Sequence, residues 1–513
     1  MGKKASILVF DVGTSAVKTV LFDESLRPLA VSTAEYAVHA AGVCVEAAPE
    51  DYFAAMRQGV ARVTVGRSVD ALVLTTQGET LLPVDAHGAA LTNAIVWLDA
   101  RAHAEAAQLS HAIDSGRFYQ TTGLPGISAA LPLCKLLWLR THAPTCFSKA
   151  SQLLLLEDYL RLRLTGVAAT HASLLTSTGY LDLHTGRYWE EALALAGIPA
   201  ALLPPVLPSG AHCGNLTQEG AALLGLPSGI PIYTGAMDQT AALLAAAAGR
   251  DGTVCETVGT AHVVAAATRR PRFDPARRVT IYRHALDDTF LYLPIGNTAG
   301  MALKWFRREF GRPGETYAAL DALAAGVPAG CEGVTFLPFL SGCADPEPLP
   351  DATACLFGMR LCTGRAHAAR AIMESTGYEL RQFLALLTAF GCDTGRIVAL
   401  GGGARSPFWL QTRADISGCT LETPACTEAA AAGAALLAAW GAGLVPRGTY
   451  PPSLTQASAR YAPNRAQQPA YDAGFSRYTA LFDALRPLYA GAGAFGKPPA
   501  ATNPQQPQGG STA

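Results

Sequence analysis

Asp11, Gly13, Thr14, Ser15 and Lys18 fall within the octet DVGTSAVK, which follows the apolar run ILVF and leads into another apolar stretch, VLF. A turn of small and hydroxylic residues lets backbone N–H groups and hydroxyls close on a phosphate with no Cβ in the way. A carboxylate at its mouth can hold a hydrated cation. The octet is therefore read as a nucleotide-phosphate hairpin. Asp, Gly and Thr are also common turn residues, so on its own it fits a plain hairpin equally well.

Further segments supply side chains that such a site would need. TQGETLLPVD puts Gln77, Gly78 and Glu79 at the C-terminal edge of the strand-like ALVLTT, a usual ligand-facing place in α/β folds. TNAIVWLDARA carries Trp97, Asp99 and Arg101, and IYTGAMDQTAAL runs a strand through Gly235 into a helix with Asp238 and Gln239 in its first turn. GGGARSPFWLQTRADISG sets Gly401, Gly402, Gly403 and Arg405 before another helix. Read singly, Asp238 is equally a helix N-cap, Trp97 a core residue and the triple glycine a turn.

The elements that must hold these residues are legible from periodicity. ASILVF, VKTVLF and LAVSTAEYA give successive strands, followed by a helix over 49–64 and the strand ALVLTT. TVCETVGTAHVVAAAT, around 253–267, repeats the strand, turn, strand pattern with Gly259 and Thr260 in its turn, so the architecture reads as duplicated. More strands are expected at TIYRHAL and FLYLPIG, and helices over 299–310, 365–389, 406–417 and 427–441; the strand RIVAL enters the triple glycine. Strands alternating with helices predict an α/β protein of two lobes with a cleft between them. The boundary is placed near 246–252, giving domains 1–248 and 249–487. Residues 488–513, rich in Gly, Pro, Gln, Ser and Thr, lack a periodic apolar face and are expected to be disordered. Gly491–Gly496 matches G-x-G-x-x-G but follows a helix and runs into Lys497-Pro498-Pro499, so a Rossmann site is rejected.

Composition narrows the class. A chain of 513 residues exceeds a single core, and 50% hydrophobic with 15% charged residues suits a large buried enzyme. A formal charge of −1 offers no field for a polyanion, which argues against nucleic acid as a partner. The 12 cysteines show no C-x-x-C pair or metal-ligand spacing and read as reduced core thiols; His212, His262 and His284 read as structural, and no zinc is assigned. No segment has the ~18 to 20 continuous apolar residues of a membrane helix, and neither a signal peptide nor Gly2 acylation is assigned to MGKKAS, so a soluble, cytoplasmic protein is expected.

Taken together and in this order, these segments closely resemble the FGGY family of carbohydrate kinases, which includes xylulokinases and glycerol kinases. The resemblance covers about residues 5–487, and GNTAGMALKWF, FLPFLSG and the closing RYAPNRAQQPAYDAGFSRYTALFDAL also look like family features. It implies an actin-like fold, two ribonuclease-H-like domains flanking a catalytic cleft that closes around ATP and a sugar. By the same resemblance Asp238 is the general base, expected to be exposed and ionised with an ordinary carboxylate pKa of ~3.9. Asp11 would orient a magnesium ion, with Gly13, Thr14, Ser15 and Lys18 at the phosphates. Gly259 and Thr260 match the second phosphate turn. Gly401, Gly402, Gly403 and Arg405 would face the adenosine, with Glu428 and Gly433 on the helix behind it. Gln77, Gly78, Glu79, Trp97, Asp238 and Gln239 would contact the acceptor. Gly235 and the Gly249–Gly252 turn are the hinge candidates.

The chain departs from the family in ways that bear on substrate. Glycerol kinases typically carry Arg at Gly78, so its absence is expected to leave room for a longer acceptor. Xylulokinases typically have Met-His in place of Gly78-Glu79, yet LLLLEDYLRLRLTG and GGGARSPFW look closer to that branch. After FLPFLSG the chain has Cys343-Ala344-Asp345-Pro346 where xylulokinases usually continue Glu-Arg-Thr-Pro, so a charged pair is missing. Ala261 stands where a hydroxylic residue is common, a lost hydrogen bond worth ~1 to 2 kcal/mol. The implied activity is ATP-dependent phosphorylation of a small sugar or polyol, a ketopentose such as xylulose ahead of glycerol or another short polyol. A non-catalytic sensor and an actin-like ATPase are the competing classes, and a homodimer is compatible with the resemblance.

Overall fold

The computed structural model describes residues 5–247 and 252–490. Its first half is built on a six-stranded sheet. Strands β1 (Ser6–Val12), β2 (Ala16–Asp23) and β3 (Pro28–Glu35) run antiparallel; helix α1 (Pro49–Val63) then returns the chain to β4 (Ala71–Thr76), parallel to β1. Strands β5 (His212–Asn215) and β6 (Pro231–Tyr233) complete the order β5-β6-β4-β1-β2-β3. A five-stranded satellite sheet takes two short strands from between β3 and α1 and three from between β4 and β5, where several helices also lie, among them α2 (Leu156–Thr165); helix α3 (Asp238–Ala247) follows β6.

The second half repeats the plan. Strands β7 (Thr253–Val258), β8 (His262–Thr268), β9 (Ile281–Arg283) and β10 (Phe290–Tyr292) are antiparallel. They are followed by helices α4 (Gly300–Phe310) and α5 (Arg365–Ala389) and by β11 (Arg396–Leu400), parallel to β7. Helix α6 (Pro407–Ser417), β12 (Thr420–Pro424), helix α7 (Ala429–Gly441), β13 (Ala457–Tyr461) and helix α8 (Gln468–Ala490) finish it, with the sheet ordered β9-β10-β8-β7-β11-β12-β13. Thus β1-β2 and β7-β8 are equivalent hairpins, and β4 and β11 are equivalent parallel neighbours. The expected duplication is present. The last helix runs to Ala490, so 488–490 belong to it and not to the tail; 491–513 lie outside the described residues.

Strand β1 is buried along almost its whole length because both faces are covered. Leu8, Phe10 and Val12 pack with Tyr52, Phe53 and Met56 of α1, whereas Ile7 and Val9 pack with the alanine-rich α7. Small side chains let α7 approach closely: a Cβ on Gly433 would lie 1.9 Å from the carbonyl oxygen of Ala241 in α3. Helices α3 and α7 therefore pack backbone to backbone between the two sheets, and each begins at the floor of the cleft. All 12 cysteines are free; Cys134, Cys213, Cys255, Cys331, Cys343 and Cys426 are buried, but Cys362 is exposed and the rest are half-buried, so only half are core thiols. Among the described residues no helix is long and apolar enough to cross a membrane.

Candidate active site

The first hairpin places Asp11 opposite Lys18 in register. Its tip is closed by Gly13 N–H donating to Ala16 O at 3.0 Å, and Tyr36 braces it from outside: its hydroxyl donates to the Gly13 carbonyl and its N–H to Ser15 O at 3.0 Å. The Asp11 carboxyl sits among charges: burial pushes it up to about 6, Lys18 opposes that, and Glu428 adds to it. Glu428, expected behind the adenosine, instead reaches the phosphate hairpin from the foot of α7, with Oε2 2.5 Å from Lys18 Nζ. This ion pair ties the two halves across the cleft.

Trp97 is not a core residue. It is 38% exposed and donates its indole N–H to Thr14 Oγ1 at 2.9 Å, joining the acceptor segment to the phosphate tip. Asp99 and Arg101 brace that segment: Asp99 accepts from Val45 N–H at 2.6 Å and from Arg101 Nη2 at 2.7 Å, and Arg101 also binds Glu46 at 2.6 Å.

Asp238 opens α3 at the end of β6. Its Oδ1 accepts from Gln239 N–H at 2.6 Å. The expectation of an exposed, freely ionised carboxylate is corrected here: Asp238 is half-buried, and burial, then the charge of Asp11 and of Glu79, pushes its carboxyl up to about 7. Glu79 sits on a left-handed residue, φ 63°, a conformation costly for a side chain with a Cβ. Burial raises its carboxyl to about 7 while Lys135 and Ser177 oppose the shift. The Gln77 side chain is only 5% exposed, and neither its Oε1 nor its Nε2 has a partner, so its buried amide is unsatisfied. Gly78 does not open the pocket as expected: a Cβ there would lie 2.9 Å from Ser177 Oγ and 3.3 Å from Met237 Sδ, so the volume is already filled.

Gly235 is not free to act as a hinge. A Cβ on it would lie 1.7 Å from Leu74 O, so glycine is required for β6 to pass β4. Of the Gly249–Gly252 turn only Gly252 is among the described residues, and a Cβ there would meet Asp393 Oδ2 at 2.4 Å.

Across the cleft, the second turn is pinned to α4: Ala299 N–H donates to Thr260 O at 3.0 Å and Gly300 N–H to Gly259 O at 2.8 Å. Met301 N–H also donates to Thr260 O, at 3.3 Å, so the first turn of α4 spends its main-chain donors on holding the Gly259-Thr260 turn in place. Ala261 closes the turn through its carbonyl, which accepts from Gly259 N–H at 3.0 Å. Beside it lies a cavity of ≈ 530 Å³ whose walls include Gly259, Thr260, Lys304, Tyr317, Gly402 and Arg405. Gly402 is the glycine with open space; Gly401 (φ 78°) and Gly403 instead let β11 close on β7, since a Cβ on either would lie within 2.7 Å of Val258.

A buried charge network underlies this wall. His262 Nδ1 lies 2.7 Å from Glu379 and its Nε2 3.0 Å from Glu256; Glu256 binds Arg413 Nη1 at 2.6 Å, and Arg413 Nη2 donates to Gly403 O at 3.0 Å. Burial works against charge on His262, but the two carboxylates outweigh it and hold its pKa at about 9. The network links both ends of the second hairpin to the glycine loop. His262→Gln is expected to raise the KM for ATP about tenfold with a smaller effect on kcat, read from initial rates at saturating acceptor; an unchanged KM contradicts it. At the departure after FLPFLSG, Asp345 is half-buried and accepts from Ile295 N–H at 2.7 Å, so an acid bonded to main chain stands where the charged pair is missing.

The hairpin, Trp97, Glu79 and Asp238 thus converge on one side of the cleft, and the Gly259 turn, Gly402 and Arg405 on the other. Residues that periodicity and motif left out are Lys135 and Ser177 beside Glu79, and Lys304 in the cavity wall. Lys135 is fully buried and donates to Val96 O at 2.9 Å, with Trp97 O and Glu79 O at 3.4 and 3.5 Å. Its only sequence signal was a charge in an apolar helix.

The chain is thus a two-lobed, duplicated α/β protein with a strand-turn-strand hairpin in each lobe and the acid Asp238 between them. The model of the FGGY family of carbohydrate kinases, N-terminal domain, matches residues 6–245, and that of the C-terminal domain matches 255–442; the chain belongs to this family and is a sugar or polyol kinase. A xylulose kinase of Bacillus subtilis is 28% identical over 94% of this chain and 96% of its own. A glycerol kinase of Rhodospirillum centenum is 32% identical over 86% and 91%, and a gluconokinase of Bacillus licheniformis 27% over 91% and 93%. The crystal structure of xylulose kinase from Rhodospirillum rubrum superposes with a TM-score of 0.84 at 28% identity, covering 94% of this chain and 99% of that one.

Proposed function

We propose that the enzyme transfers the γ-phosphoryl group of ATP to a hydroxyl of a neutral sugar or polyol, with a ketopentose such as xylulose as the leading acceptor. The observation that carries the neutral acceptor is the charge of its pocket. Glu79 and Asp238 face it, while the nearby cations are already engaged, Lys135 by carbonyls and Arg101 by Asp99 and Glu46. A carboxylate such as that of gluconate would meet like charge that neither of these engaged cations is free to offset. Relatives named xylulose kinase, aligned over nearly the whole chain, favour the ketopentose. Glycerol is the second reading, because the filled space beside Gly78 removes the argument for a longer acceptor.

In this reading Asp238 takes the proton of the attacking hydroxyl, Gln77 and Gln239 orient the acceptor by hydrogen bonds, and Trp97 covers its apolar face. Lys18 and the hairpin N–H groups hold the transferred group; a phosphate competes with Glu428 for Lys18. A carboxylate lying among charges and facing the cleft suits a hard, oxygen-coordinated cation, so Asp11 is the residue that would hold magnesium, which neutralises phosphate charge. The intact set of Asp11, Lys18 and Asp238 supports catalysis over a sensor. The test is ADP release with D-xylulose, other ketoses, aldoses, glycerol and gluconate. A neutral acceptor is expected to give the highest kcat/KM; gluconate above all neutral sugars contradicts the reading, and glycerol above every larger acceptor selects the alternative.

A further inference from the structure

The segment LLLLEDYLRLRLTG contributes no side chain to the cleft, yet it buries Glu157, Asp158 and Arg161 completely or nearly so in α2. Charges there need a reason. Arg161 spans both acids, at 2.8 Å from Glu157 Oε1 and 2.9 Å from Asp158 Oδ1, which offsets the cost of burial but does not explain why the charges are present.

Arg161 also donates to Ala169 O and Asp158 accepts from Leu155 N–H, both local, whereas the remaining contacts of Glu157 lead to one distant peptide. Glu157 Oε1 also accepts from Gly235 N–H at 3.2 Å and lies 3.0 Å from His171 Nε2. Leu174 N–H donates to His171 Nδ1 at 3.2 Å, which assigns the proton to Nε2, so His171 donates to Glu157. Ser173 Oγ lies 3.0 Å from the same Nδ1 and must donate to it, leaving its lone pairs to accept from Met237 N–H at 3.4 Å. From the opposite side, Thr75 Oγ1 donates to Ala236 O at 2.7 Å. Each of the three residues before Asp238 is thus held by its main chain, and every side chain that holds it is buried.

We infer that Glu157, His171, Ser173 and Thr75 are positioning residues that fix the Gly235–Met237 peptide and thereby the distance from Asp238 to the acceptor hydroxyl. The same peptide touches the acceptor loop: Met237 forms a β-bridge with Thr76, and its Sδ occupies the space beside Gly78. One clamp therefore sets base and acceptor loop relative to each other, while the nucleotide wall, built by the other lobe, is untouched. A displacement of ~1 Å at such a point can cost about a hundredfold in rate.

The inference rests on Asp238 being the base, so the experiment carries Asp238→Ala beside the clamp variants. Steady-state kinetics of the full chain with ATP and D-xylulose, and with ATP and glycerol, are compared for Ser173→Ala, Thr75→Val and Thr75→Ser, with thermal unfolding as a check on folding. Thr75→Val keeps the shape of the side chain and removes its hydroxyl, whereas Thr75→Ser keeps the hydroxyl. Ser173→Ala and Thr75→Val are expected to lower kcat between about ten- and a hundredfold with the ATP KM within about twofold, and Thr75→Ser to stay near wild type. Wild-type kcat in both Ser173→Ala and Thr75→Val, alongside an inactive Asp238→Ala, overturns the clamp alone. So does a loss that Thr75→Ser shares in full, because packing rather than the hydroxyl would then be responsible. An active Asp238→Ala removes the base and the clamp together.

Discussion

Asp238→Asn is expected to lower kcat by about three orders of magnitude, within the range of ~10² to 10⁴ for removal of a positioned general base, with little change in nucleotide affinity. Asn keeps the shape, and its amide oxygen can still accept the bond from Gln239 N–H, so the fold and the start of α3 should persist. What it loses is the proton acceptor. The same residue sets the pH profile. Burial, with the nearby charges of Asp11 and Glu79, holds the Asp238 carboxyl at about 7, and the base works only when deprotonated. Wild-type kcat/KM for the acceptor should therefore fall as pH drops through about 7 and level off above it. Because Glu79 titrates in the same range, the apparent value belongs to the cluster. Initial rates from about pH 5 to about pH 9, roughly two units either side of the limb, decide it. A flat profile together with an active Asp238→Asn contradicts the assignment.

Asp11→Asn is expected to cost as much, about a hundred- to a thousandfold in kcat/KM for ATP. Phosphoryl transfer asks little covalent chemistry of the protein, so holding and neutralising the phosphates should matter at least as much as the base. Asp11 sits at the end of β1, opposite Lys18 and beside Thr75 of β4, so the acid and the lysine are fixed by strand register and not by a mobile loop. The two losses are distinguishable. Rates of Asp11→Asn should need more magnesium than wild type to reach their plateau, whereas those of Asp238→Asn should not. Equal magnesium dependence in both variants would remove Asp11 from the cation site.

The hairpins, the strands and most helix limits were legible because they depend on short-range patterning: the unbroken apolar run ILVF, the Gly-Thr turns, the helix-like stretch over 49–64. What was not legible depends on contacts between distant segments. Gly78 read as an opened pocket, since nothing near it in sequence announces that Met237 and Ser177 fill the space. Asp238 read as an ordinary carboxylate, although its pKa is set by burial and by Asp11 and Glu79 from two other strand ends. Glu428 read as part of the adenosine wall, because its place in the chain gave no sign that α7 crosses to the first sheet and brings it to Lys18. The clamp below Asp238 is assembled from α2, the segment around His171 and β4. Its clearest trace in the sequence was the pair of adjacent acids directly after the apolar run LLLL.

The central claim is transfer to a carbohydrate hydroxyl rather than to water. It is tested most directly by ³¹P NMR of a reaction containing ATP, magnesium, D-xylulose and the wild-type enzyme, with Asp238→Asn in parallel. The account predicts a phosphate-ester resonance that grows in step with ADP, depends on the sugar and is lost in the variant. Inorganic phosphate as the product, formed at the same rate whether or not sugar is present, would contradict it.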